Sequence, residues 1–399
     1  MTSDDEGLTI KADLIIKGGE VFDPTKQAFS QQDIAIGQGK VLRMAPSLVG
    51  PPDACVIHAT GKIVTPGLID AHVHAFPLGH LIGIDVDPLS SRSGVTTFVD
   101  AGSTGSLNFL AFRKYVIERV RSNLFALLNV SAIGEAVRGI RGMDMYESDD
   151  LRFLHLPSAI ELIEGNLHII VGVKVRVYTG LPSLLPLSAA RELADEVGLP
   201  LVVHLAPSPP SFSEVLPYLR PGDYVTHIYH PGPGAIVDQR GRVKSEYKEA
   251  RERGVLMDTG MDRACTSFPI AQAALDQGFV PDTITTDVTV LDINDQVIDL
   301  PTTLSKFMAL GMSVVDVLVR ATIAPAVLLP PGRGYGRLLE GMPADLAVFS
   351  VEEGQLTYQD YFGHSIQGTK RLVPQITIKD GVVLTPEPQP QLNWGFLMK

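Results

Sequence analysis

Residues 62–74 read Lys62-Ile63-Val64-Thr65-Pro66-Gly67-Leu68-Ile69-Asp70-Ala71-His72-Val73-His74, an apolar run that ends in two histidines two positions apart. On an extended segment that spacing puts both imidazoles on one face of the strand. Neutral imidazole is a common ligand for divalent metals, so a His-x-His at a strand end is a candidate for half of a metal site. A histidine pair also fits a surface or a hydrogen-bonded core, and the rest of the chain decides between these.

From about residue 63 to about 335, short apolar runs of the fully buried type recur. They are Thr96–Asp100, Leu124–Val130, Ile169–Lys174, Pro200–His204, Tyr224–His227, Val255–Asp258 and Thr283–Asp287. Helical patterns lie between several of them, at Ser188–Val197, Ser213–Leu219, Lys244–Arg253 and Phe268–Gln277. Strands alternating with helices predict a parallel sheet. With the opening run, eight strands occupy about 270 residues, the usual span of a (β/α)8 TIM barrel.

Both chain ends read differently. Ala12–Lys17, Asp33–Ile36 and Val41–Met44 are short β-rich runs parted by glycine-containing turns, and Ala344–Phe349 and Gln375–Leu384 repeat the style. Neither end has enough strands for its own core. The expectation is a small β-sandwich built from residues 1–62 and 336–399 beside a 63–335 barrel, with an extended or mobile Pro/Gln-rich tail after Leu384.

The 399 residues, 45 % of them hydrophobic, can bury a large core. A net charge of −12, spread along the chain, argues against a nucleic-acid partner or an anionic membrane surface. Two distant cysteines, Cys55 and Cys265, form no disulfide framework and fit a reducing cytoplasm. The acidic Met1–Gly7 start lacks the features of a signal peptide, and no stretch approaches the roughly 18 apolar residues of a membrane span. A soluble cytoplasmic protein is expected.

Five of the eight runs finish in a residue able to bind metal: His72 and His74, then Lys174, His204, His227 and Asp287. In a barrel these strand ends converge on one face, where barrel enzymes place their active sites. Singly, His204 could be a satisfied core histidine, Asp287 an N-cap and His227 a partner of a nearby loop. Five coincidences at the same strand end are a poor account of the set. Lys174 and Arg176 share one face of a strand buried on both sides, where two bare cations would be costly. A desolvated lysine has a depressed pKa, and its free amine can add carbon dioxide to become a carbamate, an anion able to bridge two divalent ions. Arg176 could then face the carbamate or a substrate anion. An ordinary Lys174 ion pair with Asp100 or Asp258 is the simpler alternative.

This constellation resembles the amidohydrolase superfamily, in its binuclear carboxylated-lysine subtype, over nearly the whole chain. The resemblance includes the Val64–Asp70 lead-in and the Gly341–Ala347 return. More narrowly, Gly94–Thr97, Asn108-Phe109, Phe112-Arg113, Gly172–Arg176, Arg220–Asp223, Pro281–Ile284 and Ser305–Phe307 look like a dihydroorotase-like subgroup that includes esterases of acetylated (R)-2-hydroxy acids such as acetyl-mandelate. The resemblance implies that His72, His74 and Asp287 hold a buried ion and His204 and His227 a more exposed one. N6-carboxylysine at Lys174 and a hydroxide would bridge them, with zinc favoured over manganese or iron. It implies hydroxide attack on a small ester or amide, deacetylation included, with Asp287 as general base turned general acid. A homo-oligomer is expected.

Two departures narrow the substrate. Dihydroorotases of this type carry an arginine two residues after the second histidine, and adenine deaminases a glutamate; here the residue is Phe76. The narrow subgroup reads Gly-His-Gly after strand seven, where this chain has Gly260-Met261-Asp262. A deaminase of the same superfamily and a metal-free, non-catalytic homologue are the alternatives.

Overall fold

The computed structural model describes residues 11–137, 145–178, 181, 183–206, 210–232 and 234–389. The N-terminal end contributes β1 (Leu14–Asp23), β2 (Ala28–Gly37), β3 (Lys40–Ala45), β4 (Cys55–His58) and β5 (Ile63–Pro66). The middle contributes β6 (Leu68–Val73), β7 (Val95–Asp100), β8 (Asn123–Asn129), β9 (Ile170–Val177), β10 (Leu201–Leu205), β11 (Tyr224–Thr226) and β12 (Leu256–Met257). The C-terminal end adds β13 (Leu346–Gln359), β14 (Ser365–Lys379) and β15 (Val382–Val383).

Strands β6 to β12 form a seven-stranded sheet in chain order, each neighbouring pair parallel. Helices in the crossovers, among them 156–164, 185–197, 245–252 and 268–275, cover its outer side. In β9, Val173, Val175 and Val177 join that outer core, so the alternate positions Lys174 and Arg176 face the other way. Behind them Ile69, Val99, Leu127, Val171, Val202 and Tyr224 form a separate apolar cluster.

The expected eighth strand, Thr283–Asp287, is not formed. Single parallel bridges tie this segment to both sheet edges, Thr283 to Asp258 and Val288 to Val73. Its backbone amides find side-chain acceptors instead of a ladder: Thr285 N donates to Thr259 Oγ1 and Thr286 N to Asp70 Oδ1. Asp287 then turns out of the extended region with φ 50°.

The opening run is also divided. Residues 63–66 belong to the other sheet, pairing with β1 and β13, and the chain passes between sheets at Gly67. A Cβ on Gly67 would run into the Thr96 side chain, so a bulkier residue is blocked. The two chain ends do pair, through β5 lying between β1 and β13, and among the described residues they make one eight-stranded mixed sheet. Leu14, Ile36 and Val41 from one end and Leu346, Val348 and Ile378 from the other share one apolar cluster, and β13 and β14 extend the sheet as a long hairpin. The part of the tail up to residue 389 is tied to the barrel side, with Glu387 N donating to Ser91 Oγ and Gln389 Nε2 to the Asp85 carbonyl. Residues 390–399 lie outside the described residues. Among the described residues no helix is long and apolar enough to cross a membrane.

Helix 300–309, capped by Asp299, packs on β14 and buries Lys306, whose Nζ donates to the Gln296 carbonyl. Burial lowers the Lys306 pKa to about 8, against the pull of Asp292, Asp295, Asp299 and Asp360. Between that value and the unfolded 10.5 the unfolded chain binds the extra proton, so stability rises with pH through this window; below it the buried charge costs about 3 kcal/mol. Lys306→Met is therefore expected to stabilise the fold by about 1–2 kcal/mol at pH 7, the lost carbonyl bond taking back the remainder. In urea unfolding that gain should disappear near pH 10; an equal gain at both pH values would refute a titrating Lys306.

Candidate metal centre

His72 and His74 lie at the end of β6, Lys174 in β9, His204 in β10, His227 just past β11, and Asp287 at the end of the bridged segment. None is more than 5 % exposed. They gather into two adjoining clusters. In the first, donor atoms of His72, His74 and Asp287 lie within 4.8 Å of one another, with Asp287 Oδ1 3.2 Å from His74 Nε2 and 3.4 Å from His72 Nε2. The second joins His204 and His227 to Cys265, a residue with no place in the sequence-predicted set. Asp287 spans both, its Oδ2 3.5 Å from His227 Nε2. Lys174 Nζ stands 3.3 Å from His72 Nε2. His227 (φ 66°) and Asp287 (φ 50°) sit in the left-handed region, a strain that folds concentrate at functional sites.

The back of each imidazole is held by an acceptor. Thr226 Oγ1 donates to Asp258 Oδ2 at 2.7 Å, so toward His72 Nδ1, 3.1 Å away, it can only accept. Ser103 Oγ likewise donates to Asp100 Oδ2 at 2.6 Å and accepts from His74 Nδ1 at 2.9 Å. Carbonyl oxygens do the same for the second cluster, Gly260 O with His227 Nδ1 and Ala206 O with His204 Nε2, both at 2.8 Å. In His72, His74 and His227 the proton is thereby fixed on the nitrogen facing this partner, and the other nitrogen keeps its lone pair for a cation; His204 Nε2 faces both the Ala206 carbonyl and the Arg176 Nη1 donor. Gly260 has to be glycine: its φ is +46° and a Cβ would fall 2.6 Å from His227 Nδ1.

Electrostatics agree. Burial lowers His72, helped by nearby Lys174, and holds His204 and His227 well below the ordinary imidazole range. His74 is the exception: Glu135 and Asp287 outweigh its burial and raise it. Burial also lowers Lys174. For Asp287 burial acts upward, but His72, His74 and His227 together keep the carboxyl well below its usual value. The buried His227 Nε2 and Asp287 Oδ1 have no hydrogen-bond partner. Orphaned acceptors converging from neutral imidazoles and an ionised carboxylate are a donor set that fits a divalent cation.

Over 347 residues the chain is 33 % identical to deacetylase Atu3266 of Agrobacterium fabrum, covering 86 % of this chain and 84 % of that protein. The chain belongs to the amidohydrolase superfamily. It is a hydrolase. Among solved structures it is similar to a dihydroorotase (30 % identity, TM-score 0.84, covering 94 % of this chain and 98 % of that one) and to an adenine deaminase (28 %, 0.85, 94 % and 99 %). No family model matches the chain.

In this amidohydrolase Arg176 is held inside the protein. Its Nη2 donates to Glu135 at 2.6 Å and its Nε to Glu147 at 2.9 Å, and Nη1 lies 3.1 Å from His204 Nε2. Two carboxylates thus balance the guanidinium that the sequence reading offered to a substrate anion or a carbamate. Among the described residues Lys174 has no carboxylate within ion-pair distance, and Asp100 and Asp258 are engaged by hydroxyls and backbone amides instead. Phe76 packs against Phe112, ring centres 5.0 Å apart, and Met261 is buried in the main core. Neither position supplies a polar group.

Sequence reasoning missed Ser103, Thr226, Glu135, Glu147, Gly260 and Cys265. Thr226 carried a readable signal, since it sits on the strand register beside His204 and Arg176. Glu147 and Cys265 lie on loops and Glu135 in the short 3-10 turn Gly134–Val137, where no periodicity marks a direction. Thr226→Val keeps the side-chain shape and removes the acceptor behind His72. It is expected to weaken metal affinity about 10–100-fold in a competitive chelator titration. Unchanged affinity would mean that the hydroxyl does not orient the ring.

Proposed function

We propose that this amidohydrolase uses two divalent ions to cleave an acyl group from a small ester or amide. The observation that carries the reading is the set of three imidazoles, His72, His74 and His227, whose Nδ1 atoms are engaged and whose Nε2 atoms converge on the ionised Asp287, with His204 beside His227 in the adjoining cluster. His72, His74 and Asp287 would hold one ion and His204 and His227 the other, with Lys174 between them. Bound there, the ions would supply an acidified water and a polarised carbonyl.

The chain's own residues do the rest. Lys174, depressed by burial, presents a free amine; addition of carbon dioxide forms an Nζ–C bond, releases the amine proton and turns the neutral amine into an anion. This N6-carboxylysine suits the space between the clusters. Asp287 stays ionised, so it can take a proton and return it to the leaving oxygen or nitrogen. Burial of all six residues keeps bulk water away and strengthens each charge.

The deacetylase names of the relatives favour an acetyl group as the one removed, and dihydroorotase relatives extend the class to cyclic amides. Deamination has one observation in its favour, the match to an adenine deaminase structure. Against it stands Phe76, packed on Phe112 at the position where adenine deaminases of this type carry a glutamate. We place the site in a (β/α)8 barrel over residues 63–335 that segment 283–288 closes by its bridges to both edges.

Metal analysis of protein expressed with zinc should find two ions per chain, and fewer than one would overturn the reading. A panel of N-acetyl amino acids, acetylated 2-hydroxy acids, hydantoins, dihydroorotate and adenine then sorts the classes. Release of carboxylic acid is expected; ammonia from adenine alone would establish the deaminase.

A further inference from the structure

The cluster of His204, His227 and Cys265 contains one residue for which the proposed metal site has no role. Cys265 lies on the loop between β12 and the helix Phe268–Leu275, a loop anchored by Asp262 N to the Thr286 carbonyl and by Ser267 N to the Tyr229 carbonyl. That anchoring buries the thiol at 6 % exposure. It places Sγ and one ring nitrogen of each histidine within 4.8 Å of one another. His227 is wholly buried, and its Nε2 has no hydrogen-bond partner while Nδ1 is engaged by Gly260 O. A thiol gathered with two imidazoles at this distance, one of them carrying a buried nitrogen without a hydrogen-bond partner, is a half-built coordination sphere.

We propose that Cys265 is a third protein ligand of the second ion, which is then held by His204, His227 and the Cys265 thiolate and is zinc. The inference rests on the two-ion reading above and deepens it. Imidazole and carboxylate oxygen discriminate poorly among divalent metals, whereas a thiolate favours zinc strongly over manganese or magnesium. With N6-carboxylysine at Lys174 reaching the same ion, the chain would supply four ligands, and a water or substrate would enter by expansion to five, as catalytic zinc allows. Ligation is proton-balanced without any oxidant. The Sγ–H bond breaks as the sulfur–zinc bond forms, and the proton leaves by way of Asp262 Oδ2, which already accepts from Sγ at 3.3 Å. The other cysteine, Cys55, is exposed in β4 and belongs to no metal-ligating cluster among the described residues.

The test is zinc-edge X-ray absorption on the full-length, zinc-loaded protein carrying Cys55→Ser, with zinc counted on the same sample. Two zinc per chain with a sulfur shell at about 2.3 Å is the expected result. Cys265→Ala in the same background should lose that shell and bind the second zinc about 100-fold more weakly or worse. With cobalt in place of zinc, the thiolate-to-cobalt charge-transfer band should be present in the parent and absent in the variant. Two zinc per chain with only nitrogen and oxygen neighbours overturns Cys265 and leaves the two-ion reading standing. Fewer than one zinc per chain overturns both. The parent spectrum decides even if the alanine variant fails to fold.

Discussion

Asp287→Asn is expected to lower kcat/KM by roughly 10³-fold or more while the protein stays folded, because one side chain serves two ends. Its Oδ1 faces His72 and His74, its Oδ2 faces His227, and the surrounding imidazoles keep it ionised. Asparagine has the same shape and also tolerates the left-handed backbone at φ 50°, so the substitution isolates charge from geometry. The amide can neither accept a proton at neutral pH nor neutralise a cation. Metal counts on the variant separate the two roles: full occupancy with slow turnover assigns the loss to proton transfer, and loss of one ion assigns it to ligation. A variant with both ions and parental kcat/KM would remove Asp287 from the mechanism.

Lys174→Ala should be comparably severe, on the order of 10³-fold, since it deletes the group between the two clusters. Nζ lies 3.3 Å from His72 Nε2 in a pocket 2 % exposed, and Arg176 next along the face is already balanced by Glu135 and Glu147. Asp287 is already shared between the two clusters and cannot also stand in for a carbamate. The truncation leaves a buried space beside Gly102, whose missing Cβ would lie 2.7 Å from Lys174 Cγ. A short carboxylate such as acetate or propionate fits that space, so partial recovery on adding it is expected, together with a carbamate carbon signal in the parent supplied with ¹³C-bicarbonate. Full metal content and full activity in Lys174→Ala would refute the carbamate. Residual zinc in that variant is expected at the cluster containing Cys265.

What was legible in the chain follows from where the information sits. The buried strands and their crossover helices announce themselves through β-branched runs and 3.6-residue patterns, which are local. Helices predicted at Ser188–Val197 and Phe268–Gln277 form at 185–197 and 268–275. The eighth run misled because its threonines suit a strand by propensity, yet the amides of Thr285 and Thr286 are taken by the side chains of Thr259 and Asp70 in place of a ladder. A strand pattern says nothing about whether two end pieces face each other or lie edge to edge; the structure joins them through β5, between β1 and β13.

Sequence alone determined the chemistry at the strand ends: which runs are buried, and that His72, His74, Lys174, His204, His227 and Asp287 terminate or occupy them. Alternation with period two makes a polar residue at a buried strand end readable without any coordinates. Only the tertiary structure decided what stands behind and beside those residues. Thr226 backs His72, Ser103 backs His74, Glu135 and Glu147 absorb Arg176, and Cys265 enters from a loop. These pairings join residues tens to hundreds of positions apart through strand register and loop closure, and neither leaves a periodic trace in the chain.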